Sequence, residues 1–239
     1  MKSTDNSKPV PFFRGKLKFF QPKEHKISVD LVLFLSKIKP PKRNYRIIDL
    51  GAGFGFLSIT LAKKYGVKVV AFEYDERMVK LLRKNVKLNG VEHLVEVVEG
   101  DIKEIEKHLS RGSFNLVVSN PPFYPINYSP NPEPYHFEVY ATLKDFVRAS
   151  SYLLKDGGEL YLLSPCFRLY ELTEYLSNFN LPLRKLSLIY PTPLKRARLA
   201  ITVSVKNVKG QLECDKPLII NKENGEYTEE VKQLLENFL

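Results

Sequence analysis

Arg46-Ile47-Ile48-Asp49-Leu50-Gly51-Ala52-Gly53-Phe54-Gly55 decides the fold. A short apolar strand runs into three glycines at alternate positions, and the next ten residues, Phe56 to Tyr65, have the length and composition of a helix. A glycine turn between a strand and a helix is where an open α/β sheet binds nucleotide-like ligands. Glycine suits that turn because a Cβ would block the ligand's approach to the backbone and oppose the dihedrals required.

Outward from this turn, strands and helices alternate as in βαβ units of a parallel sheet. Val67 to Glu73 reads as a second strand, and Glu76 to Leu88 as a helix ended by Asn89-Gly90. Leu94 to Glu99 is a third strand, and Phe114 to Ser119 is apolar enough to be covered on both faces. A Pro- and Tyr-rich loop follows, then a helix over Thr142 to Leu154, a strand over Glu159 to Leu163 and a helix over Leu169 to Asn178. Lys185 to Tyr190 and Leu199 to Lys206 read as an antiparallel pair, and Thr228 to Leu239 as a closing helix. The expected organisation is a flexible basic and aromatic extension over residues 1–26, an α/β domain over 27–206 and a C-terminal extension with a closing helix over 207–239.

The 239 residues suit one α/β core. No apolar run approaches the roughly 18–20 residues that span a bilayer, and the polar start does not resemble a signal peptide, so a cytoplasmic protein with no membrane partner is expected. Two cysteines, Cys166 and Cys214, form no CxxC pair, so neither a disulfide framework nor a metal is expected. No obligate protein partner is indicated. The 37 Lys and Arg against 27 Asp and Glu give a net charge of +10, a potential that attracts polyanions such as nucleic acid as well as a solubilising surface.

Carboxylates at strand ends narrow the ligand. Glu73 stands 22 residues beyond Gly51, where a carboxylate can accept hydrogen bonds from both hydroxyls of a ribose. The order GxGxG differs from the dinucleotide GxGxxG, and Asp49 before it would repel a pyrophosphate but favour a cationic sulfonium and an α-amino group, directly or through water. Asp101 follows the third strand and can accept from an adenine amino group. Tyr74 and Ile102, next to these acids, join the expected cofactor contacts. The bland alternative is that these acids merely cap the helices that follow them.

These features, with Asn120-Pro121-Pro122-Phe123 after the fourth strand, resemble a class I methyltransferase over residues 27–206. The resemblance implies a Rossmann-like α/β fold, a mostly parallel seven-stranded sheet with an antiparallel last strand, helices on both faces, and S-adenosylmethionine as cofactor. The loop resembles the (N/D/S)PP(Y/F) motif of enzymes that methylate exocyclic amino or amide nitrogens. Such a nitrogen has a delocalised lone pair. Two acceptors on its N–H bonds, the Asn120 side-chain oxygen and the Pro121 carbonyl, would draw it toward tetrahedral geometry. The prolines preorganise those acceptors, Phe123 can stack on the flat substrate, and Asn120 also borders the cofactor.

The motif is shared by enzymes acting on adenine N6, guanine N2 and glutamine N5. The flanks resemble the bacterial subgroup that methylates adenine N6 in the anticodon loop of a valine transfer RNA. In that subgroup, positions matching Gln21, Ser28 and Asp30 lie near the cofactor mouth. RNA, most of all tRNA, is the expected partner, with Lys16, Lys18, Lys23, Lys26, Lys195, Arg196 and Arg198 as phosphate contacts and Tyr124 beside Phe123 on the base. The stretch Phe12 to Gln21 could bind phosphates and bases, or fold back on the core as an aromatic staple. Ribosomal RNA and release-factor glutamine remain alternatives. The 45 residues before the first strand are few for the helical domain that accompanies glutamine enzymes.

Overall fold

A computed structural model describes residues 8–22, 26–40, 44–131 and 137–239. The strands of the central sheet are β3 (Arg46–Leu50), β4 (Lys68–Glu73), β5 (Val95–Glu99), β6 (Phe114–Ser119), β7 (Leu154–Pro165), β8 (Leu183–Tyr190) and β9 (Leu199–Val205). They lie in the order β5-β4-β3-β6-β7-β9-β8. All pair in parallel except β9, which is antiparallel to both β7 and β8. The strand order reverses between β3 and β6, so a crevice opens at their carboxyl ends, where Gly51 and Asn120 emerge side by side.

Side chains alternate across these strands and divide the core in two. On one face, Ile47, Val69, Leu116 and Val118 pack with α1 (Val29–Lys37), α2 (Phe56–Tyr65), α3 (Glu76–Leu88) and α7 (Glu229–Asn237). On the other, Ile48, Val70 and Val117 pack with α4 (Ile105–His108), α5 (Leu143–Leu153) and α6 (Leu169–Asn178). Burial on both faces is why β3 and β6 are apolar almost throughout.

Three expectations are corrected. The described part of the N-terminal stretch is not a loose arm: β1 (Val10–Phe12) and β2 (Leu17–Phe19) form an antiparallel hairpin that buries Phe13, Leu17 and Phe19 against α2 and Phe238. Burying three such side chains favours the staple by several kcal/mol, at about 1.5–3 kcal/mol each. The sheet also exceeds seven strands, because β10 (Glu213–Cys214) and β11 (Leu218–Ile219), from the segment read as a C-terminal extension, pair with the outer edge of β8. Finally, β7 begins at Leu154, directly after α5, with a register shift opposite Phe114 and Leu116 in the stretch where Gly157 takes φ 75°.

Candidate active site

The turn after β3 is held by its neighbours on β4. The amides of Gly51 and Ala52 both donate to the Phe72 carbonyl at 3.0 Å, and the Gly53 amide donates to Glu73 Oε2 at 2.7 Å. Two of the glycines serve different ends. Gly53, at φ 55°, would point a Cβ into open space on the cavity wall, leaving the close approach a ligand needs. Gly55, at φ 92°, is the N-cap of α2, and a Cβ there would lie 2.2 Å from Leu82 Cδ1, so its role is helix packing.

The acids separate in the same way. Glu73 lines the cavity and accepts from the amides of Gly53, Tyr74 and Asp75; burial pushes its carboxyl pKa up against those bonds. Asp101 lines the cavity too, while its Oδ1 accepts from the Lys103 amide at 2.8 Å and caps the turn Ile102–Glu104. Asp49 is buried and does not reach the cavity wall. Its Oδ2 accepts from the Ser58 amide at 3.1 Å and the Ser58 hydroxyl at 2.5 Å, within the first turn of α2. Burial raises its pKa from 3.8 to about 7, with the Ser58 bonds opposing. The helix-capping role is therefore the one its geometry displays, which corrects the expectation of a direct cofactor contact and leaves only an action at a distance or through water.

The cavity, about 150 Å³, also takes in Gly51, Tyr74, Ile102, Asn120 and Pro122. Leu31, Phe54, Tyr140 and Phe146 are among the other residues that line it, and sequence reasoning missed all four. Leu31 lies in the apolar run Leu31 to Leu35, which by itself signals only helix burial, whereas Tyr140 gave no signal: its ring reaches across to Tyr74, 4.8 Å between centroids, over a gap of 66 residues.

Asn120 follows β6, whose last residue, Ser119, fastens it to β3 by a hydroxyl bond to the Leu50 carbonyl at 2.8 Å. Asn120 Oδ1 is buried on the cavity wall and, among the described residues, has no hydrogen-bond partner. Pro121 is buried, and Phe123 is partly buried against the core rather than on the cavity wall. The loop returns at Tyr124, whose carbonyl accepts from the Glu138 amide at 2.9 Å.

The flanking candidates scatter. Gln21 Oε1 accepts from the Ile27 amide, Ser28 occupies the N-cap of α1 without a side-chain bond, and none of Gln21, Ser28 and Asp30 reaches the cavity wall. Asp30 pairs with Arg198, so one expected cofactor contact and one expected phosphate contact hold each other. Lys16 bonds the Leu239 carbonyl, and the Lys18 backbone bonds Asn89 at the C-terminal end of α3. That places Lys18 at the amino ends of the strands, away from Asn120, because α3 runs back from the carboxyl end of β4. Lys23 lies outside the described residues, and Lys26 is exposed. Lys195 and Arg196 are exposed in the β8–β9 loop, at the same edge as Asn120, since Leu199 pairs with Pro165 at the end of β7.

Among the described residues no His, Cys, Asp or Glu group could hold a metal ion, and no helix is long and apolar enough to cross a membrane. The family model of the methyltransferase small domain matches residues 26–181. The chain is 25% identical over 217 residues to the tRNA1(Val) (adenine(37)-N6)-methyltransferase of Flavobacterium johnsoniae, covering 89% of this chain and 92% of that protein. It is 29% identical over 155 residues to a candidate protein N5-glutamine methyltransferase of Methanocaldococcus jannaschii, covering 62% and 75%. Among solved structures, a predicted O-methyltransferase from Agrobacterium tumefaciens superposes with a TM-score of 0.69 at 23% identity, over 85% of this chain and 93% of that one, a likeness of fold.

Proposed function

Since this chain belongs to the methyltransferase small-domain family, we propose that it methylates the exocyclic N6 of an adenine in RNA, the substrate being a transfer RNA and the target a base of its anticodon loop. The methyl donor is S-adenosylmethionine, which when bound supplies an electrophilic methyl group on a cationic sulfur. The residues present fit that donor. Glu73 offers carboxylate oxygen to ribose hydroxyls, Asp101 to an adenine amino group, Ile102 an apolar wall, and Gly53 a cradle without a Cβ.

The observation that carries the reading is the unpartnered, buried oxygen of Asn120 beside that cradle. A buried acceptor without a donor costs about 1–3 kcal/mol, and a substrate N–H bond would satisfy it. Asn120 Oδ1 and the Pro121 carbonyl accept the two N–H bonds of the amino group, concentrating its lone pair toward the donor, and the proton leaves for solvent. Phe123 and Tyr124 hold the base. In this reading Lys195 and Arg196 meet the phosphates at the site's own edge, and the +10 charge supports an RNA partner. The near full-length match to a tRNA enzyme favours adenine N6 over the shorter match to a glutamine enzyme. The cytoplasm is the compartment this substrate implies.

The test is methyl transfer from labelled S-adenosylmethionine to an unmodified valine tRNA transcript, followed by nucleoside digestion. N6-methyladenosine is the expected product. Label in a release-factor glutamine with none in RNA overturns the reading.

A further inference from the structure

Beside the proposed site, Tyr124 leads on to two exposed aromatic rings, Tyr128 and Phe167, that the chemistry of the site does not use. Phe167, in the turn Cys166–Arg168 after β7, is 55% exposed although it has no polar atom to offer water. Its ring is nearly parallel to those of Tyr124 (6.0 Å between centroids, 19°) and Tyr128 (5.9 Å, 18°), which come from the loop after Asn120. Tyr128 is 61% exposed. Single exposed hydrophobics are ordinary, but three near-parallel rings assembled from two separate segments form one aromatic surface.

Two further facts give that surface an occupant. The Cys166 amide donates to the Arg198 carbonyl at 2.9 Å, which ties the turn bearing Phe167 to the loop that exposes Lys195 and Arg196. The Tyr124 ring also meets the Phe123 ring edge-on at 6.4 Å, so the surface is continuous with the Asn120 loop. Flat apolar faces beside exposed cations, next to a site for a planar nitrogen, match an unpaired nucleobase on a phosphate backbone.

We propose that Phe167, Tyr124 and Tyr128 form a stacking platform for an unpaired base neighbouring the target adenine. This inference rests on the RNA reading of the site. It explains how a base could be held out of a loop stack without a separate RNA-binding domain: its neighbour stacks on Phe167 while the target enters the cavity beside Asn120.

The experiment compares full-length wild type, Phe167→Ala and Phe167→Trp on the tRNA transcript, and on transcripts carrying an abasic site at either nucleotide beside the target. Phe167→Ala should raise the RNA KM about tenfold, as expected for one lost base stack, with kcat and S-adenosylmethionine affinity unchanged. Phe167→Trp should stay within about twofold of wild type. One abasic position should raise the wild-type KM similarly and add nothing in Phe167→Ala. An unchanged KM in Phe167→Ala, or an abasic penalty that persists undiminished in that variant, overturns the platform while leaving the RNA reading intact. Wild type that methylates protein glutamine and no RNA overturns that reading, and the platform with it.

Discussion

Arg168 and Glu138 form an ion pair at 2.8 Å with side chains only 3% and 8% exposed, joining the end of β7 to the far side of the loop that starts at Asn120. Arg168 also grips Glu171 through two bonds at 2.9 Å, and Glu138 accepts from the Leu143 amide at the start of α5. Burial would lower the Arg168 pKa, but the bonds from Glu171 and Glu138 outweigh it and hold the guanidinium above its ordinary value. The pair fixes where the Pro- and Tyr-rich loop returns to the body of the protein.

The two partners should respond unequally to replacement. Arg168→Leu leaves Glu138 buried without a counter-charge and should destabilise by about 3–5 kcal/mol. Glu138→Gln leaves Arg168 paired with Glu171 and should cost about 1–2 kcal/mol. Urea denaturation measures both. Equal losses would show that the pair does not carry the asymmetry its burial implies.

Gly53 and Gly55 should separate binding from folding. Gly55→Ala forces a methyl group against Leu82, which is fully buried, and should cost roughly 1–3 kcal/mol of overpacking, with about 1–2 kcal/mol more for a left-handed backbone. Gly53→Ala meets open space, so its folding cost should be the backbone component alone, about 1–2 kcal/mol. Its methyl group should instead weaken S-adenosylmethionine binding about tenfold, or roughly 1.4 kcal/mol, by calorimetry. A larger melting shift for Gly53→Ala than for Gly55→Ala would reverse these roles.

What was legible in the sequence was what depends on chain spacing. The glycine turn, Glu73 at the next strand's end and Asn120 at the fourth follow from strand periodicity, because a parallel sheet brings every such end to one edge. What was hidden depends on contacts between distant segments. Nothing along the chain marks Arg168 for Glu138, or Asp30 for Arg198, which lies 168 positions away. The aromatic run from Phe12 to Phe20 was ambiguous for the same reason. Its rings suit a base or a core equally, and only Phe56 and Phe238, supplied by the fold, decide for the core.

Asp49 gives the protein a pH dependence with a defined sign. Its folded pKa of about 7 exceeds the ordinary 3.8, so the folded state binds an extra proton between those values and stability from this group falls as pH rises from about 4 to 7. Asp49→Asn should flatten that part of the melting-temperature profile. A bound sulfonium favours the ionised carboxylate, so wild-type affinity for S-adenosylmethionine should rise through the same window, and the Asn variant's should not. Identical pH profiles for the two proteins would remove Asp49 from both effects.

Asn120→Ala should make the protein more stable and nearly inactive at once. In the wild type Oδ1 is buried without a donor, a cost of about 1–3 kcal/mol that alanine removes, less the packing lost with the amide. The melting temperature should therefore hold or rise. The same oxygen is the acceptor preorganised for a substrate N–H bond, and removing one such group lowers kcat by about 10²–10³-fold. Glu73, Asp101 and Gly53 remain, so S-adenosylmethionine affinity should stay within about twofold, or a few tenths of a kcal/mol. Thermal denaturation, single-turnover transfer to tRNA and calorimetry together read all three. A variant that melts earlier yet keeps its turnover would mean that the Asn120 oxygen is neither strained in the free protein nor used on the substrate.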